Sequence, residues 1–145
     1  MKRFLATNNS PVLLIQRIVL GLVMFPHGAQ KLLGWYGGFG WDGTLGFFQS
    51  SGIPYMAGVL VILAESLGVL GLIVGFLTRL CAFGIIAVQL GAVFMVHLQF
   101  GFFMNWNGTQ KGEGYEYALL ALALAVPLMI WGGGKGSVDR AVSQP

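Results

Sequence analysis

Residues 54–76 read PYMAGVLVILAESLGVLGLIVGF, an apolar run that carries one charge, Glu65. A stretch of about 20 apolar residues is what the hydrocarbon core of a bilayer requires of a helix. Because the run is apolar on every face, it does not suit a surface helix in water, which keeps one side polar. Glu65 falls roughly ten residues into the run, ~15 Å along a helix axis and near the middle of such a core. A carboxyl group at that depth has to be paired, protonated or turned toward a polar cavity. Two readings stay open: an ion pair or hydrogen bond that locks helices together, and a functional group. Arg17, a few residues into the first apolar stretch, is the nearest partner by depth, although its side chain can also snorkel to the headgroups.

Three more apolar stretches flank this one, at about 12–33, 79–100 and 115–131, the last shorter and nearly all Ala and Leu. The expected fold is therefore all-α: one integral membrane domain over residues 1–145, a bundle of four transmembrane helices. Composition agrees, with 56% hydrophobic and 9% charged residues against about 25% charged in soluble proteins. Too few charges remain to cover a soluble surface. The net charge of +3 and pI near 9.3 reflect a scarcity of acids. No block of like charge suggests a nucleic-acid partner. Lys2 and Arg3 precede the first apolar stretch as in a signal peptide, but no small-residue cleavage site follows, so an uncleaved first span is expected. Basic residues orient the bundle. Lys2, Arg3, Arg79, Lys135 and Arg140 fall on one side and Lys31 and Lys111 on the other, five against two, which puts both termini in the cytoplasm.

The loops differ in kind. Gly75 to Arg79 reads as a tight hairpin, with Gly75 closing one helix and Thr78 capping the next. The outer loop at about 34–53 holds Trp35, Tyr36, Phe39, Trp41, Phe47 and Phe48, aromatic residues that settle at a membrane surface. A short interfacial helix is expected from Thr44 to Ser51, capped by Asp42 and ended by Gly52. Phe102, Phe103 and Trp106 give the second outer loop the same character. Pro26 suggests a kink near the outer end of the first span. The glycine-rich tail after Trp131 is expected to be weakly ordered. Gly71 and Gly75, Gly21 and Gly28, and Gly84 and Gly91 read as small-residue stripes that let helices pack closely within the chain.

Few residues carry chemistry. With one cysteine, Cys81, an intrachain disulfide and a dithiol relay are excluded. One Cys and two His make no zinc site without borrowed carboxylates, so no metal is expected. His27, Gln30 and Lys31 close the first span, and His97 with Gln99 closes the third, at matched depth near the outer surface. They can share a polar pocket with Asn105, Glu113 and Glu116, or each histidine can simply bond a carbonyl near a helix end. Two histidines are also the minimum for a bis-histidine haem, and nothing else supports one. Gly38 to Gly43 spells G-x-G-x-x-G but follows a membrane helix, not a strand, so dinucleotide binding is rejected. Asn107 to Thr109 spells a glycosylation acceptor that matters only in a secretory membrane.

Taken in order, these segments resemble the DoxX family. The resemblance runs from Arg17 to Arg140 and rests on RIVLG (17–21), HGAQKLLG (27–34), Gly43 and Thr44 with Phe47 and Phe48, and GIP (52–54). It continues through Glu65, Gly68 and Gly71, GFLTR (75–79), Val96 and His97, GFFMNW (101–106), EGYE (113–116) and SVDR (137–140). It implies a four-helix bundle in the bacterial inner membrane. It also implies a link to quinone-coupled redox complexes, in which relatives look like the membrane partner of a thiosulfate:quinone oxidoreductase, and to oxidative-stress functions. Carried onto this sequence, the resemblance marks Arg17, His27, Gln30, Lys31, Glu65, Arg79, His97, Asn105, Trp106, Glu113 and Glu116 as a site without giving their roles. The residues themselves suggest Glu65, His27 and His97 as the catalytic, proton-handling groups and the others as ligand-binding. The cofactor stays open, with quinone the candidate; the bilayer is the expected partner, and a soluble or membrane redox protein and a homo-oligomer stay open. The other readings are a permease or binding protein for a small or lipid-like molecule, and a membrane scaffold for a soluble redox enzyme.

Overall fold

A computed structural model describes residues 2–143, and among them every regular element is a helix. After the single turn α1 (Lys2–Leu5) come α2 (Pro11–Leu33), α3 (Gly40–Ser50), α4 (Tyr55–Val74), α5 (Thr78–Phe100), α6 (Glu116–Trp131) and α7 (Val138–Ser143). Three of them, α2, α4 and α5, are long and apolar enough to cross a membrane, and α6 is apolar but shorter. Packing closes a ring, because α2 lies against α4 and α6 while α5 lies against the same two. Leu20, Met24, Val69, Leu72, Ile85, Ala125 and Leu128 fill its centre. Its outer face is also apolar, with Val12, Leu22, Leu60, Phe83, Phe94 and Leu120 all exposed. Water would not support so large an apolar surface, whereas acyl chains would.

The ends of the helices follow from local chemistry. At the start of α2, Ser10 Oγ accepts the Leu13 N–H at 3.4 Å, and Pro11 occupies a first-turn position where an N–H is not needed. The helix continues through Pro26, where the sequence suggested a kink, and stops where Gly34 takes a left-handed φ of +73°. Gly75 ends α4 in the same way, as expected, with φ +73°.

Three expectations change. Thr78 does not cap α5. The carboxylate of Asp139 does so from the tail, accepting the Leu77 and Thr78 N–H groups at 2.8 Å each. Nor does the tail hang loose through residue 143, and residues 144–145 lie outside the described part. Gly132, Gly133 and Gly134 are buried. Thr7 Oγ1 donates to the Trp131 carbonyl, the Gly134 N–H donates to Thr7 Oγ1, and the Lys135 N–H donates to the Ser10 carbonyl. Glycine lets this segment lie directly on neighbouring backbone, which a sequence reading of flexibility misses. Finally, α3 starts earlier than Thr44. Gly40, at φ +67°, allows the chain to turn there, which leaves Asp42 inside the first turn of the helix rather than at its cap. A negative charge there still favours the helix dipole.

Candidate functional site

Glu65 is buried, 5% exposed, within the ring, and its carboxylate is ion-paired with Lys31 Nζ. Arg17, the partner suggested by depth, is engaged elsewhere. The pairing follows from helix geometry. Side chains lean toward the N-terminus of their helix, so Lys31, near the end of α2, reaches back along the ring toward Glu65. Backbone contact brings the two helices together at this level. A Cβ on Gly28 would collide with the main-chain carbonyl of Glu65. Only glycine allows α2 so close to α4 there.

The local backbone at Glu65 is unusual as well. Ala64–Gly68 forms one π-helical turn inside α4, and Ser66 Oγ donates to the Ile62 carbonyl at 2.5 Å. Turns of this kind are rare and tend to sit at functional positions. A second π turn in α5, Val93–His97, ends on His97. Both π turns thus contain a residue singled out as catalytic.

Beside the pair lies a small polar layer. The His27 ring packs on Tyr117 with centroids 5.5 Å apart. His27 lies one turn before Lys31 on α2. Tyr117 Oη donates to Met24 Sδ at 3.2 Å, and Gln89 Nε2 donates to the same sulfur at 3.6 Å. Met24, with 1% exposure, and Gln89, with 5%, are sealed inside. Tyr117, Met24 and Gln89 were not anticipated. Gln89 carried a readable signal, being an amide deep in an apolar span as Glu65 is a carboxyl group. Met24 had none, since a methionine in a span reads as core.

The other proposed residues fall into two further groups. At the end of the ring away from the chain termini, His97 Nδ1 lies 2.8 Å from the main-chain oxygen of Glu113, so that nitrogen is the donor. Glu113 accepts the Asn105 N–H at 2.6 Å and Glu116 the Met104 N–H at 3.0 Å. Asn105 bridges to Gln110 through both its side-chain atoms. These groups order the 101–115 loop. Gln30 Nε2 donates to the Tyr36 carbonyl at 3.3 Å, and Trp106 is exposed. Among the described residues, no hydrogen bond or ring contact joins His97 to His27 or Glu65. At the opposite end, Arg17, 2% exposed, donates to five main-chain carbonyls: Gly133, Leu72, Ile73, Lys135 and Gly136. That matches the five N–H groups of a guanidinium and leaves none for Glu65. Arg79 similarly holds the carbonyls of Met129, Ile130 and Ala6.

One large concavity borders the pair. Between α4 and α5 runs a groove of about 890 Å³, apolar along its length, with Lys31 the one charged residue in its lining.

The DoxX family model matches residues 12–98, more than half of the chain and the part that holds His27, Lys31, Glu65 and His97. The chain belongs to the DoxX family. It is 37% identical over 115 residues to the "Putative oxidoreductase CatD" of Bacillus subtilis (strain 168), covering 79% of this chain and 76% of that one. It is 28% identical over 131 residues to the "Inner membrane protein YqjF" of Escherichia coli (strain K12), covering 90% and 92%. No solved structure matches. Family membership and the long apolar helices identify a bacterial inner-membrane protein. The matched segment runs from α2 to the second π turn and includes the positions of Lys31 and Glu65.

Proposed function

We propose that this DoxX protein is a quinone-linked, redox-associated subunit of the inner membrane, with α2, α4, α5 and α6 all crossing the bilayer and α3 lying at its surface. The five-against-two distribution of basic residues favours cytoplasmic termini. The observation that carries the functional reading is the Lys31–Glu65 pair, because an ion pair inside an apolar ring and bordering an apolar groove is costly to keep without a use.

A quinone fits these groups. Lys31 has donors left after pairing with Glu65 and suits a quinone carbonyl, while Glu65 accepts the proton of a quinol hydroxyl. His27, one turn before Lys31 on α2 and packed on Tyr117, passes protons onward. The quinone supplies the two-electron chemistry when bound, and the electrons are exchanged with the redox centre of a soluble or membrane partner. The name carried by the Bacillus relative supports an oxidoreductase association. His97, Gln30, Asn105, Trp106, Glu113 and Glu116 form the outer rim, with Arg17 and Arg79 positioning the helices from the other end.

Quinol oxidation by membranes that contain the protein and its co-expressed partner tests this. Glu65→Gln keeps the volume and removes the charge, and turnover is expected to fall about 100-fold, the lower range for a lost acid–base group. Unchanged turnover would sink the assignment. The groove also favours a second reading, a carrier of a lipid-like molecule, for which uptake into proteoliposomes is the discriminating measurement.

A further inference from the structure

The groove between α4 and α5 has the features of a seat for one long apolar chain. Its floor is built from small residues, among them Ala64, Gly68, Gly84 and Gly91, and no atom lies within 4 Å of a Cβ placed on Gly91. Phe76 stands toward the end nearer the chain termini, and Phe48 of α3 toward the other. Its volume, about 890 Å³, lies within the range of small-ligand sites.

Polarity bears on the occupant. The lining has one charged side chain, Lys31, which is 24% exposed and has Glu65 as its ion-pair partner. The site therefore offers one cluster of donors with an acceptor behind it, at one position along an apolar slot. The complement is a molecule with a single hydrogen-bonding head and a long apolar tail.

We infer that the α4–α5 groove holds the tail of a membrane quinol, which enters sideways from the lipid and presents its head to Lys31 and Glu65. This rests on the quinone-linked reading above and adds the route of entry and the part of the protein that selects a tailed substrate. Lateral entry agrees with the helices that border the slot, because their rims, Leu60, Leu67, Phe83 and Met95, are exposed on the apolar exterior.

Groove-filling variants test the inference. Gly91→Leu and Ala87→Leu put side chains into the slot while raising helix propensity or leaving it nearly unchanged, so folding is not at risk. Val19→Leu, on the exposed face of α2 and outside the groove lining, is the control. Binding of decyl-ubiquinone and of the tail-less 2,3-dimethoxy-5-methylbenzoquinone is measured by native mass spectrometry on purified protein in one detergent. The expected result is an affinity for decyl-ubiquinone weakened at least tenfold by either groove variant, equivalent to roughly two methylenes losing their seat. Binding of the tail-less ring and the behaviour of the control should not change. If both groove variants keep the wild-type affinity for the tailed quinone, or weaken both compounds alike, the groove does not hold the tail, although a quinone site survives. If the wild type binds neither compound, the quinone reading falls and this inference falls with it.

Discussion

In the proposed reaction two side chains carry the chemistry, and each depends on the other. Glu65 is tolerable inside the ring because Lys31 reaches it, and Lys31 is held out of the lipid by Glu65. Truncating one member of a buried pair leaves the other charge uncompensated, which typically costs about 3–5 kcal/mol, whereas replacing both is close to neutral. Lys31→Met is therefore expected to lower thermal stability in detergent sharply, and Lys31→Met combined with Glu65→Gln to recover most of it without restoring quinol turnover. A double variant no more stable than the single one would mean that the pair does not act as a unit. The sequence made Glu65 conspicuous by depth alone, but depth does not give direction. Arg17 was the partner that depth suggested, but the packing sets Gly28 of α2 level with Glu65. That brings Lys31, one turn on, to the carboxylate and leaves Arg17 among main-chain carbonyls at the opposite end of the ring.

Among the elements, the short tail helix α7 does more than its length suggests. Asp139 provides two acceptors for the first N–H groups of α5, and the Asp139 N–H donates to the Gly75 carbonyl at 2.9 Å. Gly75 has to be glycine twice over: its φ is positive, and a Cβ would press on Ser137 and on the Arg17 guanidinium. The α4–α5 hairpin is thus clasped from the tail. Asp139→Ala removes a cap, worth about 1–2 kcal/mol, and is expected to speed hydrogen exchange at the Leu77 and Thr78 amides while sparing Val69 in the core. Equal acceleration at all three would point to global destabilisation instead. The hairpin itself was legible, because Gly75 followed by a polar and basic residue marks a helix break. Its cap was not, since the acceptor comes from a residue 61 positions away from Thr78, and such a contact leaves no local pattern.

For the whole molecule, the ring has two unlike ends. One gathers the termini, Arg17, Arg79 and the tail, and the other gathers α3, the exposed aromatic residues and the 101–115 loop. Cysteine labelling reads which end faces out. In a Cys81→Ser background, a cysteine at Gln110 is expected to react with a membrane-impermeant maleimide in intact spheroplasts, and one at Lys135 only after lysis. The reverse pattern would invert the topology and move the Lys31 side of the site to the cytoplasmic half. Four apolar stretches were readable because lipid imposes length and hydropathy on each helix separately. The groove was not, because α4 and α5 build it together, and glycine stripes say only that some helix comes near.

Hydropathy, glycine spacing and one mid-span carboxyl group, all local properties, were enough to determine an all-helical membrane protein of the DoxX kind and to mark Glu65. Which cation meets that carboxylate, that His97 and His27 serve different parts of the ring, and where an apolar chain can lie were decided only when the helices packed. Facing depends on how each helix is rotated about its axis, and that rotation is fixed by contacts between distant segments.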